Sequence, residues 1–203
     1  MTKTDPRTMV YSVHMHKYRH TQIRMGGTGG VALLGTETVS GCVIFKPEKR
    51  PIPPKSKSNG SEMRVLTRVE YYFEGLPPNS AHGLHIHEWG DIRNGCVSTG
   101  GHFNPFGATH GAPDSGRNNR HVGDMGNIRT DRNGVAAGAY LDPLIKLTGK
   151  NTVIGRCVVL HEDEDDLGLG TGPESLRTGN SGARICCGII GIAPIDDEDD
   201  DLF

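Results

Sequence analysis

The stretch GLHIHEWGD (83–91) sets two histidines, His85 and His87, two positions apart among apolar residues. On a β-strand such side chains share one face, about 6.6 Å apart. Both imidazoles can then converge on one metal ion while Ile86 turns the other way. Taken alone, the pair reads first as chance surface histidines on an edge strand, so the rest of the chain decides. Ten histidines are present, seven of them between positions 82 and 161. His102, His110 and His121 follow in one long segment, Asp124 comes three residues later in HVGD, and His161 closes the run RCVVLH. Imidazoles with a carboxylate suit zinc, copper, iron or nickel and not magnesium or calcium. Three histidines plus an aspartate make a closed tetrahedral zinc site, and three or four histidines without thiolate suit tetragonal Cu(II). Six histidines and one aspartate exceed what a single ion takes; two ions sharing one ligand use them all.

The elements that must position these residues read as strands. The chain has 203 residues, room for one domain with a real core. Its 29 glycines and short β-branched runs point to an all-β sandwich or barrel. Strands are predicted over 31–36, 41–46, 64–74, 83–88, 122–128, 134–140, 144–149, 152–162 and 185–193, with no convincing helix beyond a turn or two. Long loops are expected at 46–63, 90–121 and 162–184; loops of that length are normally functional or disordered. Residues 1–30 read as a polar, mobile extension, 31–194 as the domain, and 195–203, with six consecutive acids, as a solvated tail. A net charge of −2 disfavours nucleic acid as a partner. No apolar run of 18 residues exists to span a membrane. The N-terminus lacks an apolar signal-peptide core, which predicts an intracellular, cytoplasmic-type protein. Five cysteines without CxxC spacing read as reduced, buried thiols by default.

GLHIHEWGD, GGHFNPFGATHG, RHVGDMGNI, VLHEDEDDLG and TGNSGARICCGIIGIA, in that order, resemble copper/zinc superoxide dismutase over roughly residues 30–194. The resemblance implies an eight-stranded Greek-key β-barrel, an immunoglobulin-like sandwich with two functional loops. It implies one copper and one zinc ion per subunit. Copper falls to His85, His87, His102 and His161; zinc falls to His102, His110, His121 and Asp124, with His102 bridging. Asp165 matches the aspartate that links the two sites through their histidines. Cys96 and Cys187 match the family's disulfide, and Arg184 the arginine beside the open copper position. The implied reaction converts superoxide to dioxygen and hydrogen peroxide, with His102 giving a proton and Arg184 drawing in the anion. A homodimer through Trp89, Gly90, Ile154 and Ile192 is implied, and loading by a copper chaperone is compatible with it. A chaperone that merely carries such a domain would show a CxxC module or a degraded copper site. An inactive relative would have lost a copper histidine or the arginine.

Some positions depart from the family pattern. Asp163 and Leu169 stand where lysine is common, while Glu174 and Arg177 remain, so a slower or less salt-sensitive enzyme is expected. Cys186 sits beside Cys187, but adjacent strand residues face opposite ways, so one of them should meet Cys96. Cys42 and Cys157 read as plain buried thiols. The segment between His110 and His121 runs about two residues longer than usual, a change that loops tolerate. His82 reads as a structural histidine near the site, and HMHKYRH (14–20) as a weak copper-binding tail segment.

Overall fold

A computed structural model describes residues 28–51 and 63–194. The expectations for the N-terminal extension with its HMHKYRH motif, for the centre of the 46–63 loop and for the acidic tail lie outside these residues. Ten strands are present among the described residues: β1 (Thr28–Gly35), β2 (Ser40–Pro51), β3 (Met63–Glu74), β4 (Ala81–His87), β5 (Arg93–Cys96), β6 (Asp124–Arg129), β7 (Ala136–Asp142), β8 (Cys157–His161), β9 (Arg184–Ile189) and β10 (Gly191–Pro194). Among the described residues helix is limited to one 3-10 turn, Val97–Thr99, and one α turn, α1 (Ser175–Thr178). Five strands form one sheet, in the order β10-β1-β2-β3-β7, and four form the other, β6-β4-β8-β9. All pairings between these strands are antiparallel. The all-β expectation holds.

Alternation along the strands builds the core. Val43, Phe45, Val69 and Phe73 from the first sheet meet Leu84, Ile86, Val158 and Leu160 from the second. β4 is buried at every position but its first. Leu84 and Ile86 fill the interior, so His85 and His87 fall on the outer face of the same strand. There they are buried as well, under the long loops. β9 and β10 are one run divided at Ile190: the first part pairs with β8 in one sheet, the second with β1 in the other.

Four elements differ from the sequence expectation. β1 starts at Thr28, inside the predicted extension, because its first residues pair with β10 up to Thr28↔Pro194. β2 continues to Pro51, against a predicted loop from 46, because β3 supplies a partner for each residue to Met63. Beyond Phe45 the first strand no longer flanks β2, which leaves an edge where Pro47 and Pro51 are tolerated. The strand expected over 144–149 is absent. Asp142 Oδ1 accepts the backbone N–H groups of Leu144 (2.7 Å) and Ile145 (2.9 Å) and turns the chain, leaving one bridge, Lys146↔Thr152. The strand predicted over 152–162 shrinks to Cys157–His161, since Gly155, with φ +81°, turns the chain ahead of it.

Arg120, fully buried, is the bracket between core and loop. Its Nη2 donates to Asp142 Oδ2 (2.6 Å) and its Nη1 to the carbonyl of Asp124 (2.6 Å). Arg120→Met should cost about 3–5 kcal/mol in urea unfolding, because the Asp142 carboxylate stays buried without its partner. Adding Asp142→Asn to that variant should cost clearly less than the sum of the two single changes.

Candidate metal centre

The second sheet and the two loops that cover it assemble the histidines. β4 and β8 run side by side with Leu84 opposite Leu160 and His85 opposite Val159. His161, at the end of β8, therefore shares the outer face with His85 and His87. The segment 97–123 is laid against β4 by backbone bonds: Phe103 N–H donates to Ile86 C=O (2.8 Å), Gly123 N–H to Phe103 C=O (3.0 Å), and Ile86 N–H to Gly123 C=O (2.8 Å). These bonds carry His102 to one end and His121 with Asp124 to the other. Gly123 is required, since a Cβ there would collide with the carbonyl of Ile86.

Two donor groups result, each with its ligand atoms within 4.8 Å of one another: His85, His87, His102 and His161, and His102, His110, His121 and Asp124. His102 belongs to both. In the second group three imidazole Nδ1 atoms converge on Asp124 Oδ1, at 2.9 Å from His102, 3.0 Å from His110 and 3.0 Å from His121. A tetrahedron with arms of roughly 2.0–2.1 Å has edges near 3.3 Å, so the cage is the size zinc requires. In the first group His87 Nε2 and His161 Nε2 stand 3.3 Å apart. Their other nitrogens donate outward, His87 Nδ1 to Gly100 C=O (2.9 Å) and His161 Nδ1 to Gly182 C=O (3.4 Å). Such bonds fix tautomer and ring orientation.

Asp165 joins the two groups. Its Oδ2 accepts from His85 Nε2 (2.8 Å) and its Oδ1 from His110 Nε2 (2.7 Å). The remaining nitrogens, His85 Nδ1 and His110 Nδ1, are buried and have no hydrogen-bond partner among the described residues; His110 Nδ1 lies near Asp124 but is not aligned as a donor to it. An orphaned buried nitrogen is costly in a protein, and here each belongs to a donor group. The residues therefore fit two borderline-soft divalent ions. Protonation agrees: burial first, then the neighbouring imidazoles, holds His85 and His87 well below the ordinary histidine range, lowers His102, and holds His161 down at about 4. For His110, burial works the same way but is outweighed by Asp124 and Asp165, which raise it to about 9.

Sequence reasoning missed several supports. Asn127 on β6 clamps the backbone of Asp165 in both directions, accepting its N–H (2.7 Å) and donating to its C=O (2.8 Å). Gly179, at φ +69°, leaves room for Asp165 and His110, where any Cβ would strike both. Nothing in the local sequence marks either residue. His82 is not in either donor group; its Nδ1 donates to the carbonyl of His161 (3.0 Å).

Arg184 lies beside an open cleft of about 600 Å³, lined also by His102, His121, Thr178 and Arg177. Its Nη1 donates to Cys96 C=O (2.6 Å) and Thr99 Oγ1 (2.9 Å), and its Nη2 to Gly100 C=O (2.7 Å). Of five guanidinium donors, Nε–H and one Nη2–H remain uncommitted among the described residues. Cys96 is disulfide-bonded to Cys187, with Cα atoms 5.7 Å apart, so the carbonyls that hold Arg184 are tied to the strand that carries it. Cys186 turns into the core instead, and burial pushes its thiol up to about 12. Cys157 is pushed up to about 11 for the same reason, and Cys42 is half-buried.

The family model for copper/zinc superoxide dismutase (SODC) matches residues 54–190. The chain is 51% identical over 160 residues to superoxide dismutase [Cu-Zn] of Saccharomyces cerevisiae, and 56% identical over 160 residues to that of Candida glabrata; each match covers 79% of this chain and 94% of the relative. Among solved structures it is similar to the crystal structure of the clock protein EA4, with TM-score 0.69 and 38% identity over 86% of this chain and all of that one. Asp165→Asn leaves one acceptor oxygen for two imidazoles. It should weaken zinc and copper binding about 10–100-fold in competition with a chromophoric chelator, while the unloaded protein keeps its far-UV circular dichroism.

Proposed function

The chain belongs to the copper/zinc superoxide dismutase family, and from that premise we propose which of its residues carry the reaction. Copper is held by His85, His87, His102 and His161, and zinc by His102, His110, His121 and Asp124. The observation that carries this reading is the double membership of His102, whose ring lies in both donor groups. Bound copper supplies one-electron chemistry that takes one superoxide to dioxygen and the next to hydrogen peroxide, while zinc, without redox chemistry, holds its ligands in place.

The protein's own part is to position, attract and protonate. With Nδ1 of His102 held 2.9 Å from Asp124, Nε2 is the atom that takes up a proton and gives it to the departing peroxide. Arg184 keeps two donors toward the cleft and a permanent charge, which draws the anion in and orients it. Its approach is shaped by the loop above. Leu169 is 84% exposed and uncharged, and Arg177 is paired with Glu174 at 2.7 Å, so the cleft has little cationic focusing beyond Arg184.

The proposal extends to assembly and location. Trp89, Gly90, Ile154 and Ile192 form a homodimer contact, supported by the exposure of Trp89 (54%), Ile192 (72%) and their neighbour Ile189 (40%). The catalytic domain is 31–194 plus the three preceding residues of β1, flanked by the two terminal segments. Three free thiols among five cysteines suit a reducing, intracellular setting, in which a chaperone would deliver copper.

The test is superoxide loss by protein loaded with zinc alone and with both metals. A large rate is expected only with copper; bound copper without that rate would overturn the proposal. Arg184→Ile should lower kcat/KM about tenfold or more at low salt. Leu169→Lys should raise both the rate and its dependence on ionic strength.

A further inference from the structure

The β2–β3 ribbon outruns the sandwich. β1 flanks β2 as far as Gly30↔Phe45, and from there the 46–51 segment has β3 on one side and an open backbone edge on the other. Over 46–51 and 63–68 the ribbon carries Lys46, Lys49, Arg50, Arg64 and Arg68 against one acid, Glu48. Glu70, farther along β3, pairs with Lys46 (3.2 Å) and Arg68 (2.6 Å), and Glu48 pairs with Arg50 (2.5 Å). Lys49 and Arg64, both exposed, have no ion-pair partner among the described residues. Opposed residues share a face, so Lys49 stands with Pro47, Pro51, Met63 and Val65 on the side that continues the core face. Met63 and Val65 are half exposed there, at 50% and 51%. The Nζ of Lys146 reaches the same spot, donating to Val65 C=O (3.4 Å). Arg50 and Arg64 oppose each other on the other face of the ribbon, so the core-side face is a ledge, apolar in the middle and bordered by Lys49 and Lys146.

The C-terminus leaves the fold beside this ledge. β10 is antiparallel to β1, and β1 to β2, so β10 runs parallel to β2. It ends at Pro194, paired with Thr28, the first residue of β1. The chain that follows therefore points along the open edge of 46–51, about two strand spacings, or roughly 10 Å, away. Nine residues remain, IDDEDDDLF, six of them acids between apolar ends. Extended, they reach about 30 Å, against roughly 17 Å for the overhang. The other terminus leaves from the same end, but residues 1–27 carry five Lys and Arg to one Asp, and the ledge repels them.

We propose that the acidic segment 195–203 docks on this ledge of its own chain, its carboxylates on Lys49 and Lys146 and its apolar end against Met63 and Val65. The two opposite charge runs then neutralise each other.

Zero-length carbodiimide coupling of the full-length, metal-loaded protein, mapped by peptide mass spectrometry, tests it. Intramolecular amides from the 196–201 carboxylates to Lys49, with Lys146 as a second acceptor, are expected. They should disappear at about 0.5 M salt, and those to Lys146 should fall in Lys49→Ser, whose superoxide dismutation should be unchanged. As an independent reading, acetylation of Lys49 should be about fivefold slower in the full chain than in one ending at Pro194. Coupling confined to Lys3 or Lys17, coupling only between two copies, or equal acetylation rates would each overturn the proposal.

Discussion

One buried carboxylate sets the geometry on which the site depends. Asp165 accepts from an imidazole of each donor group, at 2.8 and 2.7 Å, so neither group can reorient without the other. The requirement spreads outward. Asn127 must hold the aspartate's backbone from β6, Leu167 N–H must donate to its Oδ1 (2.7 Å), and Gly179 must leave the space empty. A negative charge this deep is tolerated only because its acceptor sites are filled. Two loops with almost no regular structure thereby become as fixed as the strands beneath them.

The same economy recurs where the loops meet the sandwich. Arg120 and Asp142 hold the loop that carries His110 and His121 to β7, and the Cys96–Cys187 bond holds the 96–100 segment to β9. Arg184 then completes a circle: its strand anchors the disulfide, the disulfide anchors the carbonyls, and the carbonyls aim the guanidinium. A surface arginine without those acceptors would sample many rotamers; this one is presented to the cleft in a single pose.

What could be read from the sequence was whatever repeats with a strand's period. The outward pair His85 and His87 and the inward pair Leu84 and Ile86 follow from alternation alone, and so do most strands. The readings that failed did so where a side chain overrides the pattern. LIKLTG has strand composition, yet Asp142 captures two of its amides and bends it. KPEKRP looks like a loop because of its prolines, yet an edge position accepts them. Arg120 is one basic residue in a polar loop, and nothing local marks it as fully buried. Gly179 is needed for a neighbour 14 residues away, a relation that a linear reading does not contain.

The division of the last strand at Ile190 has a mechanical meaning. Residues 184–189 belong to one sheet and 191–194 to the other, so this run is the seam that stitches the two leaves of the sandwich together. Pulling on it loads both leaves at once, and through Cys187 the 96–100 segment as well. Separate melting of one leaf would require tearing the seam, which favours loss of sandwich and site in one cooperative event. For this molecule, staying folded and keeping its arginine aimed are a single property.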